Sequence, residues 1–200
     1  MKYLITLLFA FAAVTAIAQV NTVTVGATAP SFNLKNVDGK AVSFDNFKNA
    51  KGYIIVFTCN TCPVSKKYEQ RIIELNNKYA SSGYPVIAIN PNDPSISTGD
   101  TYDKMQALAS AKKYAFPYLY DEGQATTNAY GARNTPHVFV VTKTSAGNVI
   151  AYTGAIDNDP EDANPDRTKY VEQVITALSK NEKPPYTQTK AIGCSVKRRS

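Results

Sequence analysis

Residues Tyr53-Ile54-Ile55-Val56-Phe57 are apolar without interruption. A strand with one face in water would alternate, so a continuous run of this length must be covered on both sides. The next residues supply a cover. Val64, Tyr68, Ile72, Leu75 and Tyr79 recur at helical spacing, while Lys66, Lys67, Glu69, Gln70 and Glu74 fall on the wet side. Ser82-Gly83 ends that helix, and Val86-Ile87-Ala88-Ile89 makes a second buried strand. Strand, helix and strand in this order close as a right-handed crossover with parallel strands, so an α/β fold is expected.

The rest of the chain extends one domain. Asp38-Gly39 predicts an N-terminal β-hairpin between Phe32-Asn33-Leu34 and Val42-Ser43-Phe44. Residues 90–99 read as a Pro- and Asp-rich loop, and 100–114 as a helix with Met105, Leu108 and Ala109 inward. Residues 116–120 read as a short edge strand, because Pro117 cannot join a ladder on both sides. A brief helix follows over 124–130. Strands at 138–141 and 149–152 then form a hairpin through Ala146-Gly147-Asn148. The acidic stretch 157–166 lacks the spacing of a known calcium motif and is expected to be a solvated loop. Tyr170, Val171, Val174, Ile175 and Leu178 mark the last helix.

At the other end, Lys2, an apolar run from Tyr3 to Val14 and the small-x-small step Ala16-Ile17-Ala18 predict a secretory signal peptide over residues 1–18. The apolar run is short for a membrane span, so no stable span is expected after cleavage before Gln19. The folded domain then covers 19–182, and 183–200 form a polar, Pro-rich tail expected to be flexible. Export across the inner membrane, to a bacterial periplasm, is the expected localisation. A formal charge of +6 is scattered, not gathered in a stripe, which argues against a nucleic-acid partner. Export also changes what cysteines can do, because a close pair outside the cytoplasm can form and keep a disulfide.

Cys59 and Cys62 stand two residues apart where the buried strand meets the helix, and Pro63 follows. Free N–H groups and the helix dipole favour negative charge there, so a thiolate is stabilised and becomes a nucleophile or leaving group. The alternative is two small buried thiols. Further on, Thr135-Pro136 leads straight into a strand. It is a candidate cis peptide whose bend would expose the Thr135 backbone to an extended partner, or else an ordinary trans proline at a strand start.

Taken with Gly26-Ala27-Thr28-Ala29-Pro30-Ser31-Phe32, Asp38-Gly39-Lys40, Ala88-Ile89-Asn90-Pro91-Asn92-Asp93, Phe116-Pro117-Tyr118-Leu119, Tyr130-Gly131-Ala132 and Gly193-Cys194-Ser195-Val196-Lys197, these motifs resemble the thioredoxin superfamily. More narrowly, the chain is similar to exported redoxins, peroxiredoxin-like proteins (alkyl hydroperoxide reductase/thiol-specific antioxidant-like) with a CxxC pair. The resemblance implies a thioredoxin-like fold, a central mixed β-sheet flanked by helices. It also implies a thiol–disulfide oxidoreductase without cofactor, whose partners are protein thiols or disulfides and an upstream redox protein. Cys59 would be the exposed nucleophile and Cys62 the resolving thiol, with Thr135 and Pro136 binding the partner chain. There are departures. Aligning the peroxidatic cysteine on Cys62 places Ile55 and Cys59 in the Pro and Thr slots, and Pro136 in the Arg slot, so direct peroxidase activity is not expected. The buried acid of thioredoxins is replaced by Tyr53, and the tryptophan beside the first cysteine by Thr58.

Two residues stay open. His137 is the only histidine, and Cys59, Cys62 and His137 could bind Cu(I) as in copper chaperones, the alternative function. A redox-dead module keeping only the Thr135-Pro136 docking edge is a third reading. Cys194, in the tail, is a further resolving thiol, a free cysteine or a crosslink to another chain.

Overall fold

The computed structural model describes residues 21–199; the expected signal peptide, 1–18, lies outside them. The elements are β1 (Leu34–Asn36), β2 (Ala41–Val42), β3 (Gly52–Phe57), α1 (Pro63–Tyr79), β4 (Val86–Asn90), α2 (Tyr102–Ala111), β5 (Tyr118–Tyr120) and α3 (Ala125–Tyr130). They continue with β6 (Asn134–Thr135), β7 (His137–Thr144), β8 (Gly147–Gly154), α4 (Tyr170–Ser179) and β9 (Cys194–Ser195). Seven strands form a mixed sheet in the order β2-β1-β5-β4-β3-β7-β8, and β6 pairs with β9 apart from it. The sheet is flanked by helices, the thioredoxin-like arrangement the sequence implied.

The uninterrupted apolar run becomes β3, between parallel β4 and antiparallel β7, with every residue buried. Its alternation is hidden in the sequence and visible in space. Ile54 and Val56 pack with Tyr68, Ile72 and Leu75 of α1 and Val171, Val174 and Ile175 of α4. Tyr53, Ile55 and Phe57 pack on the other side with Tyr130 of α3 and Phe139 of β7. Each such aliphatic side chain gains about 2 kcal/mol from full burial, so β3 anchors both cores.

Three expectations change. Residues 116–120 are not an edge: β5 pairs with both β4 and β1. Pro117 sits just before the paired residues, and its carbonyl accepts from the Ala88 N–H at 3.0 Å. The acidic stretch is not wholly solvated either. Asp157 is buried against Arg71 of α1, with Arg71 Nη1 at 2.7 Å, and the Tyr68 hydroxyl donates to it at 2.9 Å. The tail, finally, is packed. The Val196 N–H donates to Arg133 O at 3.0 Å, Lys197 N–H to Asn92 Oδ1 at 2.9 Å, and Arg199 pairs with Asp93 at 2.6 Å.

Removing one partner of a buried ion pair leaves the other uncompensated. Asp157→Asn is therefore expected to lower unfolding free energy by about 3–5 kcal/mol in a denaturant titration, while exposed Asp166→Asn leaves it within ~0.5 kcal/mol. His137 supplies a pH test. Burial, aided by the Arg133 charge, lowers its pKa to about 4, so the folded protein holds it neutral. The unfolded chain binds its proton first, so this contribution is complete above about pH 6.5 and is lost as pH falls toward 4, up to about 3 kcal/mol. In paired melts at pH 7 and 4.5, His137→Gln should lose less stability than wild type; equal losses would refute the assignment.

Candidate active site

Two neighbouring strands set the site. β3 ends at Phe57, and the chain reaches the first turn of α1 with Cys62 as N-cap and Pro63 at the first helical position, where a missing N–H costs nothing. β7 pairs antiparallel with β3 in a register that sets Phe57 opposite His137. That register brings Thr135-Pro136, a cis peptide, against the cysteine loop. The Cys59 Sγ and Thr135 Oγ1 atoms lie 3.2 Å apart, and the Cys62 thiol donates to Thr135 O at 3.2 Å. Thr135 thus touches both sulfurs.

The sequence leaves the rest of this arrangement unseen. β9 pairs with β6 so that Cys194 faces Thr135, and the Cys194 N–H donates to Cys62 Sγ at 3.4 Å. The backbone edge expected to receive a partner peptide is held by the chain's own strand. All three cysteines are free thiols.

Their acidities differ. Burial pushes the Cys59 thiol up, and the nearby Asp100 charge adds to this against the opposing Thr135 hydrogen bond. Burial acts on Cys62 too, but there the Cys194 thiol and the N–H groups of Ser65, Cys194 and Val64 outweigh it and hold the pKa below the ordinary thiol value. Val64 and Ser65 belong to the first turn of α1, where N–H groups have no helical partner. Cys194 is pushed up to about 11, by burial first and then by sharing its proton with Cys62. Both thiols are buried, and their surroundings disfavour a thiolate at Cys59, which the resemblance implied as the exposed nucleophile, and favour one at Cys62.

Asp100 organises the loop between the cysteines. It is completely buried and accepts from the Asn60 N–H at 2.7 Å, Thr61 Oγ1 at 2.7 Å, Ser97 Oγ at 2.6 Å and Asn92 Nδ2 at 2.9 Å. Burial alone would raise its pKa, but these donors hold the carboxyl below its usual range, so it is ionised. The Tyr118 hydroxyl donates to Asn60 Oδ1 at 2.8 Å and accepts from Asn90 Nδ2 at 3.1 Å, tying the loop to β4 and β5. Asn90 belongs to a quoted family motif and Asp100 to the start of a predicted helix, yet neither spacing signals a buried polar hub. A cavity of about 230 Å³ opens beside Cys59, lined with Ile72, Leu108, Tyr114 and Phe116.

His137 is not gathered in. Its Nε2 lies 3.0 Å from Thr153 Oγ1, and its Nδ1 accepts from the Arg133 N–H at 3.4 Å, so both ring nitrogens are engaged away from the sulfurs. Among the described residues, no three His, Cys, Asp or Glu side chains form a metal-holding group. The donor set proposed for copper is therefore not assembled.

Comparison with known proteins agrees with the fold. An uncharacterized conserved protein from Geobacillus kaustophilus superposes with a TM-score of 0.82 at 32% identity, covering 90% of this chain and 94% of that one. A thiol-disulfide oxidoreductase ResA from Halalkalibacterium halodurans is 24% identical over 116 residues, 58% of this chain and 61% of that protein. A chloroplastic peroxiredoxin Q from Gentiana triflora is 32% identical over 108 residues, 53% of this chain and 45% of its own length. The chain thus spans less than two thirds of the length of these two curated relatives. The model of the AhpC/TSA family matches residues 25–152, from the segment before β1 through both cysteines of the pair and Thr135-Pro136 into β8, and the chain belongs to that family.

Proposed function

We propose that this protein is an extracytoplasmic thiol–disulfide oxidoreductase working through Cys59 and Cys62. The observation that carries the reading is the pair of thiols that both contact Thr135 at the start of α1, with burial acting against a thiolate at Cys59 and the first-turn N–H groups favouring one at Cys62. The leader-like residues 1–18 support export, and relatives named thiol-disulfide oxidoreductase ResA support the chemistry.

Cys62 is the entering thiolate. It attacks one sulfur of a substrate disulfide, forming a mixed disulfide and releasing the other half as a thiolate that takes up a proton. Cys59 then loses its proton and attacks the Cys62 sulfur. The second substrate half leaves as a thiol, and Cys59–Cys62 remains as a disulfide, two electrons having passed to the substrate. The same steps in reverse oxidise a dithiol. The high pKa of Cys59 keeps it from competing for substrate, and its attack on a neighbouring sulfur gains from proximity. The groups expected to activate a peroxide are replaced by Cys59 and Pro136, so disulfides and not peroxides are the substrates.

Cys62→Ser should reduce insulin disulfides only at the background rate, while Cys59→Ser combined with Cys194→Ser should accumulate a mixed disulfide on Cys62, seen by mass spectrometry under acid quench. Trapping at Cys59 in Cys62→Ser instead would reverse the roles, and undiminished turnover in both variants would remove the reading. The Asp100 charge gives a second test. Asp100→Asn removes the negative charge that helps raise Cys59, so the pH midpoint of Cys59 alkylation should move down. An unchanged or higher midpoint would show that this charge does not control the thiol.

A further inference from the structure

Cys194 lies outside the stretch that matches the family, yet it sits at the centre of the site. β9 runs antiparallel to β6 with Asn134 opposite Ser195 and Thr135 opposite Cys194. This is how an extended substrate would lie on a sheet edge, its main chain paired and one side chain presented to the site. The strand is held from both directions. Upstream, Thr189 N–H donates to Thr153 O at 3.0 Å; downstream, Val196 and Lys197 bond to Arg133 and Asn92. Gly193 makes the approach possible, because a Cβ there would stand 2.1 Å from Thr135 O. Cys194 is the least buried of the three cysteines.

We propose that Cys194 is a third redox residue, presented to Cys62 by β9 as a built-in substrate, so that Cys62 bridges alternately to Cys59 and to Cys194. The inference rests on the exchange reading given above. Starting from the Cys59–Cys62 disulfide, the Cys194 thiolate attacks the Cys62 sulfur. A Cys62–Cys194 bond forms as the Cys59–Cys62 bond breaks, and Cys59 leaves as a thiolate that takes up the proton Cys194 gave up. No outside oxidant or reductant is consumed. The exchange moves the oxidised sulfur from a buried loop to a half-buried strand, where a partner dithiol can reach it. Reduction by that partner leaves Cys62 and Cys194 as thiols and the partner as a disulfide.

The test uses the full chain oxidised with hydroxyethyl disulfide, quenched in acid, alkylated and mapped by mass spectrometry without reduction. Wild type should keep one free thiol per chain, found on Cys194 in some molecules and on Cys59 in others. Cys59→Ser should keep none and carry an intramolecular Cys62–Cys194 bond. Adding Gly193→Val to Cys59→Ser should cut that linkage at least tenfold, since the new side chain would force β9 off Thr135. If Cys59→Ser retains both thiols or links only between chains, while Cys194→Ser still forms Cys59–Cys62, the inference is overturned and the exchange reading stands. If neither variant forms an internal bond, both are overturned. A linkage unaffected by Gly193→Val would overturn the docked-strand basis of the proposal.

Discussion

The pairing of β3 with both neighbours is the constraint on which this protein depends. A strand without a polar face cannot tolerate an open edge, so its N–H and C=O groups must find partners on both sides. β4 fills one side through the local crossover, and β7 fills the other from about eighty residues further along the chain. The second pairing fixes the chemistry, because its register decides which residues stand opposite the end of β3. A slip by one residue would turn every side chain of β7 to the wrong core and carry Thr135 away from the sulfurs. Core packing and site geometry are therefore one requirement here.

A second requirement is electrostatic. An ionised carboxylate in the interior is tolerable only when several donors surround it, and Asp100 has such a shell in the residues that shape the cysteine loop. Its charge disfavours a thiolate at Cys59, while the first turn of α1 favours one at Cys62. Two thiols three positions apart, and chemically alike in the unfolded chain, are separated in acidity by their surroundings. The difference belongs to the fold and not to the motif.

This explains how much the sequence revealed. The crossover, the hairpins and the helices are legible because periodicity and turn chemistry are local, and the placement of Cys59 and Cys62 because a strand-to-helix junction is local too. Residues 116–120 read as an edge because Pro117 argues against pairing on both sides of its own position, whereas the ladder uses its neighbours. The tail from residue 183 was expected to be loose because it is polar and rich in proline, features that do not reveal backbone bonds to distant loops. Asp157 looked solvated among other acids, since nothing nearby announces Arg71 on α1. In each case the missing information is a partner far away in the chain.

The site is also assembled from segments that meet late. The cysteine loop, the Asp100 loop, Tyr118, Thr135 and Cys194 come from five stretches spread over most of the described chain. Pairings between distant segments carry a loop-closure cost that local contacts do not, and topologies rich in them fold slowly. Until the sheet closes, the three thiols have the acidity of any exposed cysteine and no preference for one another beyond their spacing. The difference in acidity between the thiols thus arises only when folding is complete. A nascent or partly folded chain is an ordinary thiol peptide, and its native reactivity is itself a report that the fold has formed.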